Sequence, residues 1–354
     1  MASKAIIGLI LSLAVSLSCL ADVVALNPGH PTQHIVVKGD TLWGISAKFL
    51  KNPWEWPNVW RHNGQIKNPH LIYPGDVISL CYIEGSPMLC VDSNAGSNMA
   101  SATGNQRMLY PHMRPEGTAD AIAMIPIEDI TPFLNSPKVV NDKDLEEAPY
   151  IVDFSGERLV AGAGSEIFVR SILQPDFLAY TTYRPGKTYT DPETDEILGY
   201  EANYIADNII LNLGDPATLL ITNSKREVRR GDRLMPTSEK NTVLNFFPGP
   251  PEELIQGSII SVLNGVTQIG QYDIIVLSKG EVDGLKVGHI LSVMQNGKLI
   301  PDPFHKNKNE LVKLPDQEAG IALIFRTFER VSYALVMHAS KNIRVLDKVR
   351  TPEK

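Results

Sequence analysis

The residues of this chain that could do covalent chemistry are few, and their spacing narrows what that chemistry is. Cys81 and Cys90 flank "YIEGSPML", and the midpoint between them falls between Gly85 and Ser86. A two-residue Gly-x hairpin turn there would set the two cysteines directly opposite one another. They would form a non-hydrogen-bonded pair with Cα atoms about 4.5 Å apart, at the lower end of what a disulfide tolerates. Pro87 cannot donate the usual turn hydrogen bond and is the weak point of that hairpin; two buried free thiols are the alternative. His289, His305 and His338 are dispersed, and no pair of them has the i,i+2 or i,i+4 spacing of a zinc or base site. HExxH, HxH and GxSxG are absent, and Gly162-x-Gly164 lacks the following helix of a phosphate loop. Carboxylates are numerous enough that two could still be arranged for glycoside hydrolysis.

The compartment follows from the N-terminus and the third cysteine. Lys4 precedes an apolar run from Ala5 to Leu17, and Cys19-Leu20-Ala21 places small residues before Asp22. That order is the pattern of a secretory signal over residues 1–21. An uncleaved anchor would need about 20 apolar residues, and this run is shorter. Cleavage removes Cys19 and leaves an even pair, which agrees with an oxidising compartment. Lipidation at Cys19 is the rival, although Ser16-Leu17-Ser18 is a poor context for it.

Removing the leader takes away one cation, Lys4, and moves the net charge from −7 to −8, which argues against nucleic acid or anionic lipid as a general electrostatic partner. A mature chain of about 330 residues implies two or three domains. The polar stretch from Asp92 to Arg107 reads as a linker, taken here as 92–115. All four tryptophans precede it: Trp43, Trp54, Trp56 and Trp60. After it, residues 116–354 read as short strands, among them "PYIVDF", "EIFVR", "FLAYTTY", "ILGYEANYI", "TLLIT", "GSIISVL", "YDIIVL", "GIALIFRTF" and "YALVMHA". "IEDITPFL" and "PPEELIQ" are the expected short helical turns. "ATLLITNSKREVRRGDRLMP" aligns with "YALVMHASKNIRVLDKVRTP", and "DGLKVGHILSV" repeats the last element, which implies repeated small β-modules. Asp283-Gly284 reads as a hairpin turn, and Gly280 and Gly288 as sites of unusual φ. Lys225, Arg226, Arg229, Arg230 and Asp232 read as solvated turn residues.

Before the linker, His34, Val36 and Val37 read as a strand, Gly39 as a turn, and Asp40 as an N-cap for a helix from Thr41, with Leu42, Ile45 and Phe49 on one face. A second helix starts near Pro57, pairs Trp56 with Trp60 and ends at Asn63-Gly64; "LIYPGDVISLC" then supplies a turn and a returning strand. Trp43 and Trp60 read as core, and Trp54 is the one to suspect of exposure.

"VVKGDTLWGISAKFL", "WPNVWRHN" and "IKNPHLIYPGDVISL", in that order, resemble the LysM domain over residues 33–82. The resemblance implies a small βααβ (α+β) fold, here 33–91 with a hairpin extension, and binding of N-acetylglucosamine-containing glycans such as peptidoglycan. It places the shallow site on Gly39, Asp40, Thr41 and Leu42 on one side and Leu71, Ile72, Tyr73 and Pro74 on the other. Two such loops can present backbone N–H and C=O groups to an acetamido group while Leu42, Ile72 and Tyr73 cover its methyl and ring. The second half is also similar to the uncharacterised β-rich tail of bacterial LysM proteins, in "YRPGKTYTDPETDEILGYEA", "KREVRRGDRLMP" and "IGQYDIIVLSKGEVDGLKVGH".

The expectation is therefore a multidomain, non-catalytic protein of the periplasm or cell envelope that needs no cofactor or metal. It has no catalytic residues, no nucleic-acid partner and no transmembrane anchor after cleavage. Its partners are a peptidoglycan-type polymer and, through the β-rich region, an envelope protein. The rival class is a cell-wall hydrolase whose catalytic domain is unrecognised.

Overall fold

The computed structural model describes residues 24–60, 72–83, 85–92, 122–125, 130–133, 137–172, 177–237, 247–263, 268–302, 304 and 310–353. The signal, most of the linker, Asn63-Gly64, Leu71 and His305 lie outside the described residues. The chain divides into two compact units, residues 1–125 and 126–354.

In the first unit β1 (Gln33–Ile35) leads through a tight turn to α1 (Leu42–Phe49), followed by a 3-10 turn (Pro53–Glu55) and α2 (Trp56–Trp60). Strands β2 (Val77–Ile83) and β3 (Ser86–Asp92) complete a three-stranded antiparallel sheet in the order β1-β2-β3. Leu42, Ile45 and Phe49 are buried together, as their helical spacing requires. All four tryptophans are buried, so Trp54 is core: its ring centroid lies 6.5 Å from that of Trp43. Pro53 at the start of the 3-10 turn swings it inward.

Cys81 and Cys90 are joined, but not across the expected register. Cys81 faces Met88 and Cys90 faces Ser79, because Ile83 and Ser86 form the last pair before the turn. Gly85 takes the positive φ of +83°, and the one-residue shift moves Pro87 away from the closing pair. There its missing N–H falls on the edge strand β3, where no partner needs it. The bridge is consequently diagonal on one face of the hairpin, with Cα atoms 6.0 Å apart.

The second unit begins with a 3-10 turn (Thr131–Phe133), β4 (Lys138–Val140) and α3 (Asp142–Glu146), a helix the strand pattern hid. Then come β5 (Tyr150–Phe154), β6 (Glu166–Arg170), β7 (Ala179–Thr190), β8 (Ile197–Asn212), β9 (Ala217–Ser224) and β10 (Arg233–Pro236). They pair in the order β4-β8-β7-β10-β5-β6-β9, and a further β8–β9 pairing joins β9 back to β8. Next follow β11 (Gln256–Leu263), β12 (Ile274–Leu277), β13 (Ile290–Gln295), a small hairpin of β14 (Leu299–Pro301) and β15 (Leu311–Lys313), β16 (Gln317–Thr327), β17 (Ser332–Ala339) and β18 (Lys348–Arg350). Six of them close a barrel in the order β11-β12-β17-β16-β13-β18. The ring β5-β6-β9-β8-β7-β10 has the same order, so the aligned sequence repeat falls on equivalent strands, β9–β10 and β17–β18. Each ring surrounds its own apolar cluster, one around Ile167, Ile205, Leu219 and Leu234, the other around Ile275, Leu291, Ile324 and Val336.

Between the rings, Arg330 makes a two-pronged ion pair with Glu196 at 2.7 Å, and the half-buried Arg326 donates to the carbonyl of Pro137 at 2.8 Å. Burial pulls the Arg326 guanidinium below its ordinary pKa, and its ring contact with Phe328 and this carbonyl offset that cost.

Several expectations are corrected here. "PPEELIQ" is not helical, since two consecutive prolines hold the chain extended and remove a donor. Glu281–Asp283 is a 3-10 turn capped by Gly284 at φ +83°, with no hairpin. Gly280 has an ordinary negative φ; it is glycine because a Cβ would lie 2.5 Å from the Phe328 carbonyl. Asp232 is not a solvated turn residue but buried, accepting both guanidinium nitrogens of Arg184 at 2.8 Å and the Arg229 N–H at 2.8 Å.

Two stability measurements check this account. The second unit contains no tryptophan, so tryptophan emission reports the first unit alone. Cys90→Ser should lower the urea stability read by that emission by about 2–3 kcal/mol, the loop-closure value for a bridge of this span, and leave far-UV unfolding of the second unit in place. In the second unit Asp232→Ala should cost about 3 kcal/mol, because it strands a partly buried guanidinium. Asp347→Ala, which removes only bonds to backbone N–H groups, should cost about 1.5 kcal/mol; equal losses would contradict the assignment.

Candidate functional site

The loops expected to form the site are two copies of one turn. Val37-Lys38-Gly39-Asp40 and Tyr73-Pro74-Gly75-Asp76 each put glycine third, at φ +94° and +98°. In each, the N–H of the fourth residue bonds the carbonyl of the first at 3.0 Å. The aspartate carboxylate then returns to the N–H of the first residue, Asp40 to Val37 at 3.0 Å and Asp76 to Tyr73 at 2.9 Å. The turns are tied side by side, because Val36 donates to the Asp76 carbonyl and accepts from Gly75, both at 2.8 Å.

Asp40 is therefore not the helix cap. Its carboxylate is committed backward, to Val37 and to His34 Nε2 at 2.8 Å. The cap is Thr41, whose Oγ1 accepts from the Gly44 N–H at 3.0 Å. Lys48 Nζ stands 3.2 Å from His34 Nε2, 3.4 Å from its Nδ1 and 3.9 Å from Asp40. Partial burial opposes ionisation of Asp40, but the Val37 N–H, His34 and Lys48 outweigh it and hold the carboxyl below its usual range.

The turns flank the first turn of α1, where N–H groups have no acceptor within the helix. Thr41 takes that of Gly44, and those of Leu42 and Trp43 point into the groove between the loops. The carbonyl of Ile72 supplies an acceptor from the other side. The groove thus offers two donors and one acceptor, groups that bond the C=O and N–H of amides. Residues 122–125 already lie there: Leu42 N–H donates to the Ala123 carbonyl at 2.9 Å, Trp43 N–H to that of Met124 at 3.0 Å, and Ile122 N–H to that of Ile72 at 2.9 Å.

Among the expected site residues, Gly39 and Pro74 are exposed, and Asp40, Thr41 and Tyr73 are half-buried at the rim. The side chains of Leu42 and Ile72 are core, so their backbone groups, not their side chains, face the groove. Leu71 lies outside the described residues. Trp43 was expected only as core, and its N–H is a groove donor; His34 and Lys48 were not expected at the site. Helix position would have flagged Trp43, since the second residue of any helix carries an orphan donor.

Asp40 has a lower pKa folded than unfolded, where it titrates near about 3.9. Its contribution is therefore complete above that value and lost as pH falls through the folded pKa. Asp40→Asn should destabilise the first unit by about 1 kcal/mol at pH 7, and the gap should close toward pH 2.5. A gap unchanged across that range would show that the charge contributes nothing.

Comparison with known proteins agrees with this geometry. The LysM domain model matches residues 34–80. SpoIVD-associated factor A of Bacillus subtilis (strain 168) is 31% identical over 118 residues, 33% of this chain and 25% of that protein. The chain thus spans about a quarter of the length of the curated relative it matches. Matched residues, turn geometry and helix cap converge: residues 34–80 of this chain are a LysM domain.

Proposed function

We propose that this protein is a non-catalytic cell-envelope component that holds N-acetylglucosamine-containing glycan, as in peptidoglycan, in the groove of its first unit. The observation that carries the reading is the set of two helix N–H donors and one opposed carbonyl, each of which already bonds a peptide amide. N-acetylglucosamine presents such an amide on each sugar. Gly39, Asp40, Thr41, Tyr73 and Pro74 form the rim against which the sugar ring would lie, and Leu42 and Ile72 complete the two loops. A carbonyl oxygen placed at the Leu42 and Trp43 N–H groups also gains from the positive end of α1.

The second unit is the scaffold that meets an envelope protein. In support, four carboxylates of this unit are held by arginines: Asp153 by Arg230, Glu196 by Arg330, Asp215 by Arg170 and Asp232 by Arg184. Such carboxylates are poor candidates for a general acid and base pair. Among the described residues no group of His, Cys, Asp and Glu could hold a metal ion, and no helix is long and apolar enough to cross a membrane. Export through the 1–21 signal is part of the same reading, and the Cys81–Cys90 bridge supports an oxidising compartment.

The test is titration of the full-length protein with N-acetylglucosamine oligomers, read by tryptophan emission, together with co-sedimentation on insoluble peptidoglycan. Saturable binding is expected, and Thr41→Arg with Tyr73→Ala should weaken it at least tenfold while the emission of the folded state is retained. No binding by the intact protein or by the opened-groove variants described below would overturn the reading. Release of soluble muropeptides, abolished by one carboxylate substitution, would make the second unit an enzyme.

A further inference from the structure

The groove is filled by the chain itself. Residues 122–125 lie in it, with Ala123 paired to Thr41 in the parallel sense and the chain bending at Met124 and Ile125. Ile122, Met124 and Ile125 are buried there. This segment uses the same three groups that the proposed glycan reading requires, Leu42 N–H, Trp43 N–H and Ile72 C=O. A peptide amide and an acetamido group are the same functional group, and each N–H here has one strong bond to give. Segment and sugar therefore cannot occupy the groove together.

We infer that residues 122–125 are a tethered competitor, so that glycan enters the groove only by displacing the chain's own strand. The inference rests on the glycan reading and adds its regulation. Three features make the segment displaceable. Among the described residues its backbone hold is three hydrogen bonds, a short patch beside the long ladders of the second unit. Pro126 follows directly and has no N–H with which to extend the pairing. Residues 93–121 connect the segment to β3 of the same unit, which makes its occupancy an intramolecular equilibrium with an effective concentration on the order of millimolar. The apparent affinity for glycan is then the intrinsic affinity multiplied by the fraction of open groove. A polymer that presents many acetamido groups at high local density competes better than a short oligomer.

The experiment compares the full-length wild type with two opened variants, by oligomer titration and by hydrogen exchange. Ile122→Asp with Met124→Asp places two carboxylates where apolar side chains are buried. Ile122→Pro removes the N–H given to Ile72 without adding a charge, and carries the test should the double variant lose the folded tryptophan emission. Both are expected to bind N-acetylglucosamine oligomers at least tenfold tighter than wild type. In the wild type the Ile122 amide should be protected from exchange without glycan and lose protection at saturation, whereas Leu42 and Trp43 stay protected throughout. Equal affinities, or an Ile122 amide still protected at saturation, would overturn the competition and leave the glycan reading standing. Binding by none of the proteins would overturn the glycan reading and the competition with it.

Discussion

A carboxylate returning to the backbone N–H three residues before it is the interaction on which both units depend. A four-residue turn with positive φ at its third residue needs something to hold the first residue's N–H, which points away from the strand that follows. Asp40, Asp76, Asp232, Asp273 and Asp347 all supply it, at 2.7–3.0 Å from Val37, Tyr73, Arg229, Gly270 and Arg344. His289 does the same with Nδ1 to the Lys286 N–H at 3.2 Å. The third residue is glycine in most of these turns, yet Tyr272 and Leu346 adopt φ of +69° and +76°. A left-handed side chain costs about 1–2 kcal/mol, an amount that a charge-assisted bond of about 1.5–3 kcal/mol offsets.

The same device builds the groove. Two of these turns would be unrelated loops without the Val36 pairing that fastens one to the other. Once fastened, they bracket the first turn of α1, whose unpaired N–H groups must be satisfied by water, ligand or protein. Because Asp40 is drawn backward into its turn, the capping task passes to Thr41, and a threonine covers only the Gly44 N–H. The donors at Leu42 and Trp43 remain for an amide. Local turn chemistry thus leaves the helix end with two N–H donors, which the carbonyls of Ala123 and Met124 take.

In the second unit the turn serves closure. Each ring ends on a strand that follows an aspartate turn, β10 after Asp232 and β18 after Asp347, and each final strand pairs with the first and third strands of its ring. A closed ring leaves no free edge to recruit other chains. Asp232 adds the Arg184 ion pair, which locks the turn to β7. Glu196 pairs with Arg330 across the seam between the rings.

Much of this was legible in the sequence because it rests on local rules. The spacing of Leu42, Ile45 and Phe49, the Gly-Asp turns and the alternating runs from Tyr150 onward are consequences of neighbours in the chain. The resemblance to the LysM domain over residues 33–82 was legible because GDTL and PGD stand in sequence order. What sequence could not decide depends on contacts between distant residues. The register of Cys81 against Met88 turned on where Pro87 could lose an N–H without cost, which is a property of the sheet edge. The burial of Asp232 required Arg184 from another strand. That the groove would be filled by residues 122–125, which sequence assigns to the second half of the chain, could not be read from "AIAMI", because nothing local specifies Leu42, Trp43 and Ile72 as its partners. Hydrogen-bond donors left by a helix end are predictable; which acceptor reaches them is decided only when the chain has folded back upon them.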